Sequence, residues 1–116
     1  MVRHMPNQSM QLNRVFQALA DPTRRAVLAR LSSGPAPMGE LARPFDMALP
    51  SFAQHLDVLE DCGLVRSRKT GRVRTYRLAP RPLEAAEHWM AAQRRVWGRR
   101  LDQLDDFLKD LKEQRR

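Results

Sequence analysis

Apolar residues recur at helical spacing through roughly the first sixty positions, then become scattered among basic residues. Leu12, Val15, Phe16 and Leu19 lie three and four residues apart and predict a helix over residues 10–20. Asp21-Pro22 marks a second helix start: Asp caps free backbone N–H groups, and Pro is pre-set for the first helical position. Val27, Leu28 and Leu31 face inward on that helix, Gly34 ends it, and residues 32–37 read as a loop. Residues 38–43 predict a short third helix with Leu41 and Ala42 inward, stopped by Pro44. Residues 45–49 are a turn. Pro50 opens a fourth helix whose inner face is Phe52, Leu56, Leu59 and Cys62; Gly63 terminates it, and Leu64 folds back onto its last turn. The cap position before Pro50 is Leu49, which has no side-chain acceptor.

From Leu64 to Leu78 the pattern changes. Val65, Val73, Tyr76 and Leu78 are separated by charged and polar residues, with Thr70-Gly71 as a turn signal, which predicts a β-hairpin. Six of the twelve residues from Arg66 to Arg77 are Lys or Arg and none is acidic. By pleat parity Arg66 and Arg68 share a face, as do Arg72 and Arg74 on the return strand, and Arg77 lies opposite to Arg74. Pro80 and Pro82 break the strand, and residues 82–112 read as one long helix. Leu83, Met90, Trp97, Leu104 and Leu111 recur every seven residues on it, with Leu101 and Leu108 at the alternating positions.

The expected fold is mainly α with a small β-hairpin, in the order α-α-α-α-β-β-α: a winged helix-turn-helix that forms a homodimer. Residues 1–9 are expected to be flexible, 10–80 to be the DNA-binding core and 81–116 the dimerisation helix. A chain of 116 residues is one domain with a modest core. Of its net charge of +8, most sits before residue 81, where 12 basic residues meet 6 acidic ones; beyond it the numbers are 9 and 7. Such an excess suits an anionic partner, because Lys and Arg on phosphates release counterions. No apolar run approaches the ~20 residues of a membrane span, and the N-terminus has no signal-peptide core. The single cysteine, Cys62, cannot form an internal disulfide. These features together point to the cytoplasm.

The third and fourth helices form a helix-turn-helix whose second member enters the major groove by its N-terminal end. With Phe52 and Leu56 inward, Ser51, Gln54 and His55 share the outer side of the first turns and are the candidates for base and phosphate contacts. Arg66, Arg68, Lys69, Arg72 and Arg74 of the hairpin are candidates for the phosphate backbone and minor groove, Lys69 and Arg72 reaching furthest. Leu12, Phe16, Met90, Trp97, Leu101, Leu104 and Leu108 are the candidate dimer seam, since an isolated helix of this length must bury its leucines. No metal site and no cofactor are expected. Cys62 has no cysteine neighbour, and His4, His55 and His88 lie in three different elements without ligand spacing. Glu84, Glu87 and His88 on one helix are ordinary for a polar face. No residue set supports an enzyme.

The chain resembles the ArsR-type winged-helix repressors from about residue 11 to residue 112. Residues 17–25, Gln-Ala-Leu-Ala-Asp-Pro-Thr-Arg-Arg, resemble their opening signature, and Leu28 and Leu31 match the stretch that follows it. Residues 54–65, Gln-His-Leu-Asp-Val-Leu-Glu-Asp-Cys-Gly-Leu-Val, resemble their recognition helix, and the hairpin with its glycine tip and Tyr-Arg-Leu end is also similar. The resemblance implies a homodimeric bacterial repressor with a five-helix winged fold that binds palindromic operators and releases them when an effector arrives. Many members sense metals through a Cys-Val-Cys arrangement on the third helix. Residues 39–43 here have no cysteine, and the family's C-terminal Asp and His ligands are missing. The Leu-Pro-Ser-Phe turn and the Trp-rich last helix resemble a metal-free branch. Ala53 stands where the family usually has Ser, which shifts the expected contacts to Ser51 and Gln54.

Two other readings remain open at this level. A small-molecule effector, apolar or aromatic, would bind near Trp89 and Trp97 on the last helix and switch the same fold. Alternatively, the basic wing serves a protein or RNA interaction module instead of duplex DNA.

Overall fold

Phe52, Leu56 and Leu59 have essentially no exposed surface, and the rest of the core is arranged around the helix that carries them. In the computed structural model, which describes residues 7–115, the elements are α1 (Asn7–Leu19), α2 (Pro22–Leu31), β1 (Ala36–Pro37), α3 (Met38–Ala42), α4 (Leu49–Asp61), β2 (Val65–Thr70), β3 (Val73–Leu78) and α5 (Arg81–Gln114). The chain divides into two units, residues 1–86 and 87–116. Val15 and Ala18 of α1, Val27 and Leu31 of α2, Leu41 of α3 and Tyr76 of β3 join the α4 face in one buried cluster, which Leu12, Phe16 and Leu28 flank half-buried.

Several bounds differ from expectation, three of them for a physical reason. Helix α1 begins at Asn7, so residues 7–9 are its first turn; residues 1–6 lie outside the described residues. Asn7, Gln8 and Ser9 are polar, and apolar periodicity does not register a helical turn without apolar residues. Helix α4 begins at Leu49, which puts Pro50 at the second helical position and Ala48 at the cap, where no side chain caps the helix. The loop expected over residues 32–37 contains β1, which pairs antiparallel with β3 (Ala36 with Tyr76, Pro37 with Thr75) and makes the hairpin a three-stranded sheet ordered β1-β3-β2. Proline, lacking an N–H, is tolerated there because β1 is an edge strand.

Local chemistry fixes the two joints of this unit. Asp21 accepts from the backbone N–H of Arg24 at 3.0 Å and caps α2. Burial pushes the Asp21 carboxyl up, but the hydrogen bonds from the Arg24 and Thr23 backbone and the nearby Arg24 charge outweigh it and hold it below the usual aspartate value. At the other joint, the N–H of Gly63 donates to the Glu60 carbonyl and that of Leu64 to the Leu59 carbonyl, both at 3.0 Å. This is a Schellman closure with glycine in the left-handed region, φ +83°. Cys62, beside it, is buried. Burial pushes its thiol up, and its Sγ donates to the Leu59 carbonyl, so it is a packed, neutral thiol.

Two stability predictions follow from these joints. A Cβ on Gly63 meets Pro82 at 3.3 Å as well as an unfavourable φ, so Gly63→Ala is expected to cost about 1 kcal/mol or more in urea denaturation. Asp21→Ala is expected to cost about 1 kcal/mol at neutral pH. Because the folded Asp21 pKa lies below its unfolded value of 3.8, this contribution is present above that value and fades as pH falls through the folded pKa. The gap between wild type and variant should therefore close in acid; a gap that persists undiminished there would contradict the assignment.

Candidate nucleic-acid interface

Helices α3 and α4 and the six residues between them form the helix-turn-helix. The turn is fastened to the second helix by an aromatic pair, Phe45 on Phe52, with ring centroids 5.4 Å apart. Burying Phe52, Leu56 and Leu59 leaves Ser51 and Gln54 exposed on the first turns of α4 and His55 half-buried beside them. The first turn of α4 carries no acidic residue and no side-chain cap. Its first backbone N–H groups therefore keep their positive end of the helix dipole uncompensated. The acids of this helix, Asp57, Glu60 and Asp61, all lie in its second half.

The wing is the hairpin β2–β3, closed by a two-residue turn in which Gly71 has φ +63°. The register pairs Arg66 with Arg77, Arg68 with Thr75 and Lys69 with Arg74. Opposed residues share a face, so Arg66, Arg68 and Arg77 lie on one face and Lys69 and Arg74 on the other. Arg72, expected on the return strand beside Arg74, sits in the turn. All six are exposed, and among the described residues no carboxylate forms a salt bridge with any of them.

One relay ties the wing to α4. Ser67 Oγ donates to Glu60 Oε2 at 2.7 Å, and Arg74 donates through one terminal nitrogen to the same Oγ at 2.8 Å. Arg74 is thus partly engaged within the protein, while among the described residues no side-chain hydrogen bond or salt bridge holds Lys69, Arg72, Arg66 or Arg68. An open cleft of about 540 Å³ lies at this wing root, lined in part by Glu60, Ser67, Arg66 and Arg77.

Behind the exposed face of α4 is a feature that sequence inspection misses. Arg24 donates from Nε to the Ala18 carbonyl at 2.8 Å and from one terminal nitrogen to the Gln17 carbonyl at 3.0 Å. Its other terminal nitrogen lies 3.0 Å from His55 Nδ1. Arg25 donates to the Leu19 carbonyl at 2.7 Å. Helix α1 has no basic residue in its own last turn, so the two arginines of α2 satisfy the carbonyls there. His55 is thereby linked across 31 residues of sequence, a separation at which no local pattern signals contact.

Of the expected dimer seam, Leu12 and Phe16 pack half-buried against the core of the first unit. Met90, Trp97, Leu101, Leu104 and Leu108 are exposed on α5, Trp97 by 67% and Leu101 by 61%. Among the described residues no three His, Cys, Asp or Glu side chains gather as a metal site, and no helix is long and apolar enough to cross a membrane.

Comparison with known proteins agrees with this geometry. Residues 19–68 match a helix-turn-helix domain family. The chain is 48% identical over 73 residues to the HTH-type transcriptional regulator Rv2034 of Mycobacterium tuberculosis, covering 63% of this chain and 68% of that protein. It is 33% identical to the transcriptional repressor SdpR of Bacillus subtilis, covering 68% and 88%. A solved ArsR family transcriptional regulator is 55% identical, with a TM-score of 0.75 over 84% of this chain and 97% of that one. A homodimeric winged helix-turn-helix DNA-binding domain from Mycobacterium bovis, Mb0332, superposes with a TM-score of 0.59 at 25% identity over 82% and 94%. This chain belongs to the ArsR family of winged helix-turn-helix transcriptional regulators, DNA-binding proteins and not enzymes.

Proposed function

We propose that this regulator is a cytoplasmic repressor that occupies a palindromic operator as a homodimer and blocks polymerase sterically. The observation that carries the reading is the division of charge on α4 and the wing. The first turns of α4 are neutral and polar and project from a buried base, the helix's own acids lie in its second half, and the wing adds six exposed cations. Ser51 and Gln54 read base edges in the major groove, Gln being able to pair bidentately with adenine. Lys69 and Arg72 at the wing tip, with Arg66, Arg68 and the remaining donors of Arg74, hold the flanking backbone. The uncapped N-terminus of α4 receives a phosphate, whose oxygens supply the acceptors that Ala48 lacks.

The homodimer is supported by the exposed apolar stripe of α5, since Met90, Trp97, Leu101, Leu104 and Leu108 need a partner to leave water. The solved Mb0332 domain is itself homodimeric. Two-fold symmetry places two recognition helices on half-sites one turn of DNA apart.

Two outcomes are expected. In fluorescence anisotropy at physiological salt, a duplex from the region upstream of the protein's own coding sequence should bind ~10³-fold or more tightly than its scrambled version. Gln54→Ala should narrow that ratio, whereas Arg72→Ala should weaken both duplexes and lower the salt slope by about one unit. Equal losses on both duplexes for Gln54→Ala would remove it from sequence reading. In sedimentation at micromolar concentration, wild type should run as a dimer and Leu104→Asp as a folded monomer with much weaker operator binding. A wild-type monomer would remove the palindrome.

A further inference from the structure

The structure leaves one ring nitrogen of His55 committed and the other unused. A guanidinium has donors only and stays charged, so at 3.0 Å from Arg24 the Nδ1 of His55 must be the acceptor. The competing arrangement, Nδ1–H donating to Asp21, would span 3.7 Å to an oxygen already taken by the Arg24 backbone N–H at 3.0 Å. A ring protonated on both nitrogens would set an N–H against a guanidinium N–H. With its hydrogen on Nε2 the ring offers Nδ1 as the acceptor that the Arg24 guanidinium requires. Nε2 has no hydrogen-bond partner among the described residues, although the side chain is only 23% exposed. His55 lies one turn beyond Ser51 on the same side of α4.

We propose that Arg24 is a positioning residue for DNA recognition: it fixes His55 as the Nε2–H tautomer, so that α4 presents a directed N–H donor, and no acceptor, toward the operator. The receiving group is an acceptor atom of DNA, either a phosphate oxygen or the O6/N7 edge of guanine. Arg24 is well suited to this. Its other two hydrogen bonds anchor it to the carbonyls of Gln17 and Ala18 at the end of α1, and its own backbone N–H is held by the Asp21 cap. The fork cannot swing away from His55 without abandoning α1. The Arg24 side chain thereby links the end of α1 to the ring on α4.

The inference rests on the DNA-binding reading, and the experiment separates the two. Wild-type protein is first measured on the upstream duplex and its scrambled version; no preference for any upstream fragment would count against the DNA reading itself. Given a preference, two substitutions divide the ring's functions. His55→Asn places an amide oxygen where Nδ1 stands, keeps an acceptor for Arg24 and lacks any group at Nε2. His55→Gln can place its amide N–H near Nε2 and gives up the acceptor. His55→Asn should melt like wild type and lose affinity by about ten-fold or more. His55→Gln should melt lower and retain more affinity than His55→Asn. A loss on both duplexes assigns the donor to phosphate, and a loss on the preferred duplex alone assigns it to a base. Ring ¹⁵N spectra supply a reading independent of the variants' stability. Free wild type should show His55 with Nδ1 bare and Nε2 protonated, and the Nε2–H signal should shift on adding the operator. Wild-type affinity in His55→Asn, a protonated Nδ1, or an Nε2–H signal indifferent to operator would each overturn the proposal.

Discussion

What α4 and the wing present depends on one buried contact, the seating of Phe52, Leu56 and Leu59 on the core. Each has no exposed surface, and truncating such a side chain typically costs about 2–5 kcal/mol, a large share of a small domain's stability. That burial sets the rotation of α4 about its axis. A helix with three residues locked inward at positions 52, 56 and 59 has no freedom left to choose which side Ser51 and Gln54 occupy. The Phe45–Phe52 stack then fixes the turn that leads into the helix. The Schellman closure at Gly63 fixes the direction in which the chain leaves it toward the wing.

Electrostatics depends on where the charges fall along the helix. Asp57, Glu60 and Asp61 would repel phosphate wherever they met it, and the sequence gathers them in the second half of α4. Glu60 is further occupied by Ser67, which in turn accepts from Arg74. This short chain of hydrogen bonds ties the wing to the base of the recognition helix. It also engages one donor of a wing cation within the protein. The remaining cations sit on two faces of a hairpin only two strands wide at its tip. A groove-following backbone contact can use such a distribution, whereas a flat acidic protein surface would meet only one face.

The helices were legible because their inner faces are written in apolar residues at three- and four-residue spacing. All four residues expected on the inner face of α4 are buried. The wing's two faces were legible from pleat parity, and Arg77 was correctly set opposite to Arg74. Strand β1 was not legible: two residues, one of them proline, within Ser-Ser-Gly-Pro-Ala-Pro carry the composition of a loop, and only β3 supplies the pairing. The first turn of α1 was missed because its residues are polar. The Arg24–His55 contact was invisible for a different reason. It is made by two polar side chains brought together by the α1–α2–α4 packing, and neither periodicity nor composition encodes such a meeting.

The start of α4 shows how stability and function trade at this site. A Ser, Thr, Asp or Asn at the cap position is worth about 1 kcal/mol over Ala, and this fold uses that device at α2, where Asp21 caps the helix. Position 48 is Ala, and the next two residues, Leu49 and Pro50, offer no side-chain acceptor either. A side-chain carboxylate there would satisfy the free N–H groups and would also place a negative charge where the proposed phosphate would sit. Leaving the end uncapped keeps both the donors and the helix dipole available. The protein therefore carries a small local instability at the N-terminal end of α4, which on the proposed reading a bound phosphate would relieve. The deep packing of Phe52, Leu56 and Leu59 holds the helix in place meanwhile.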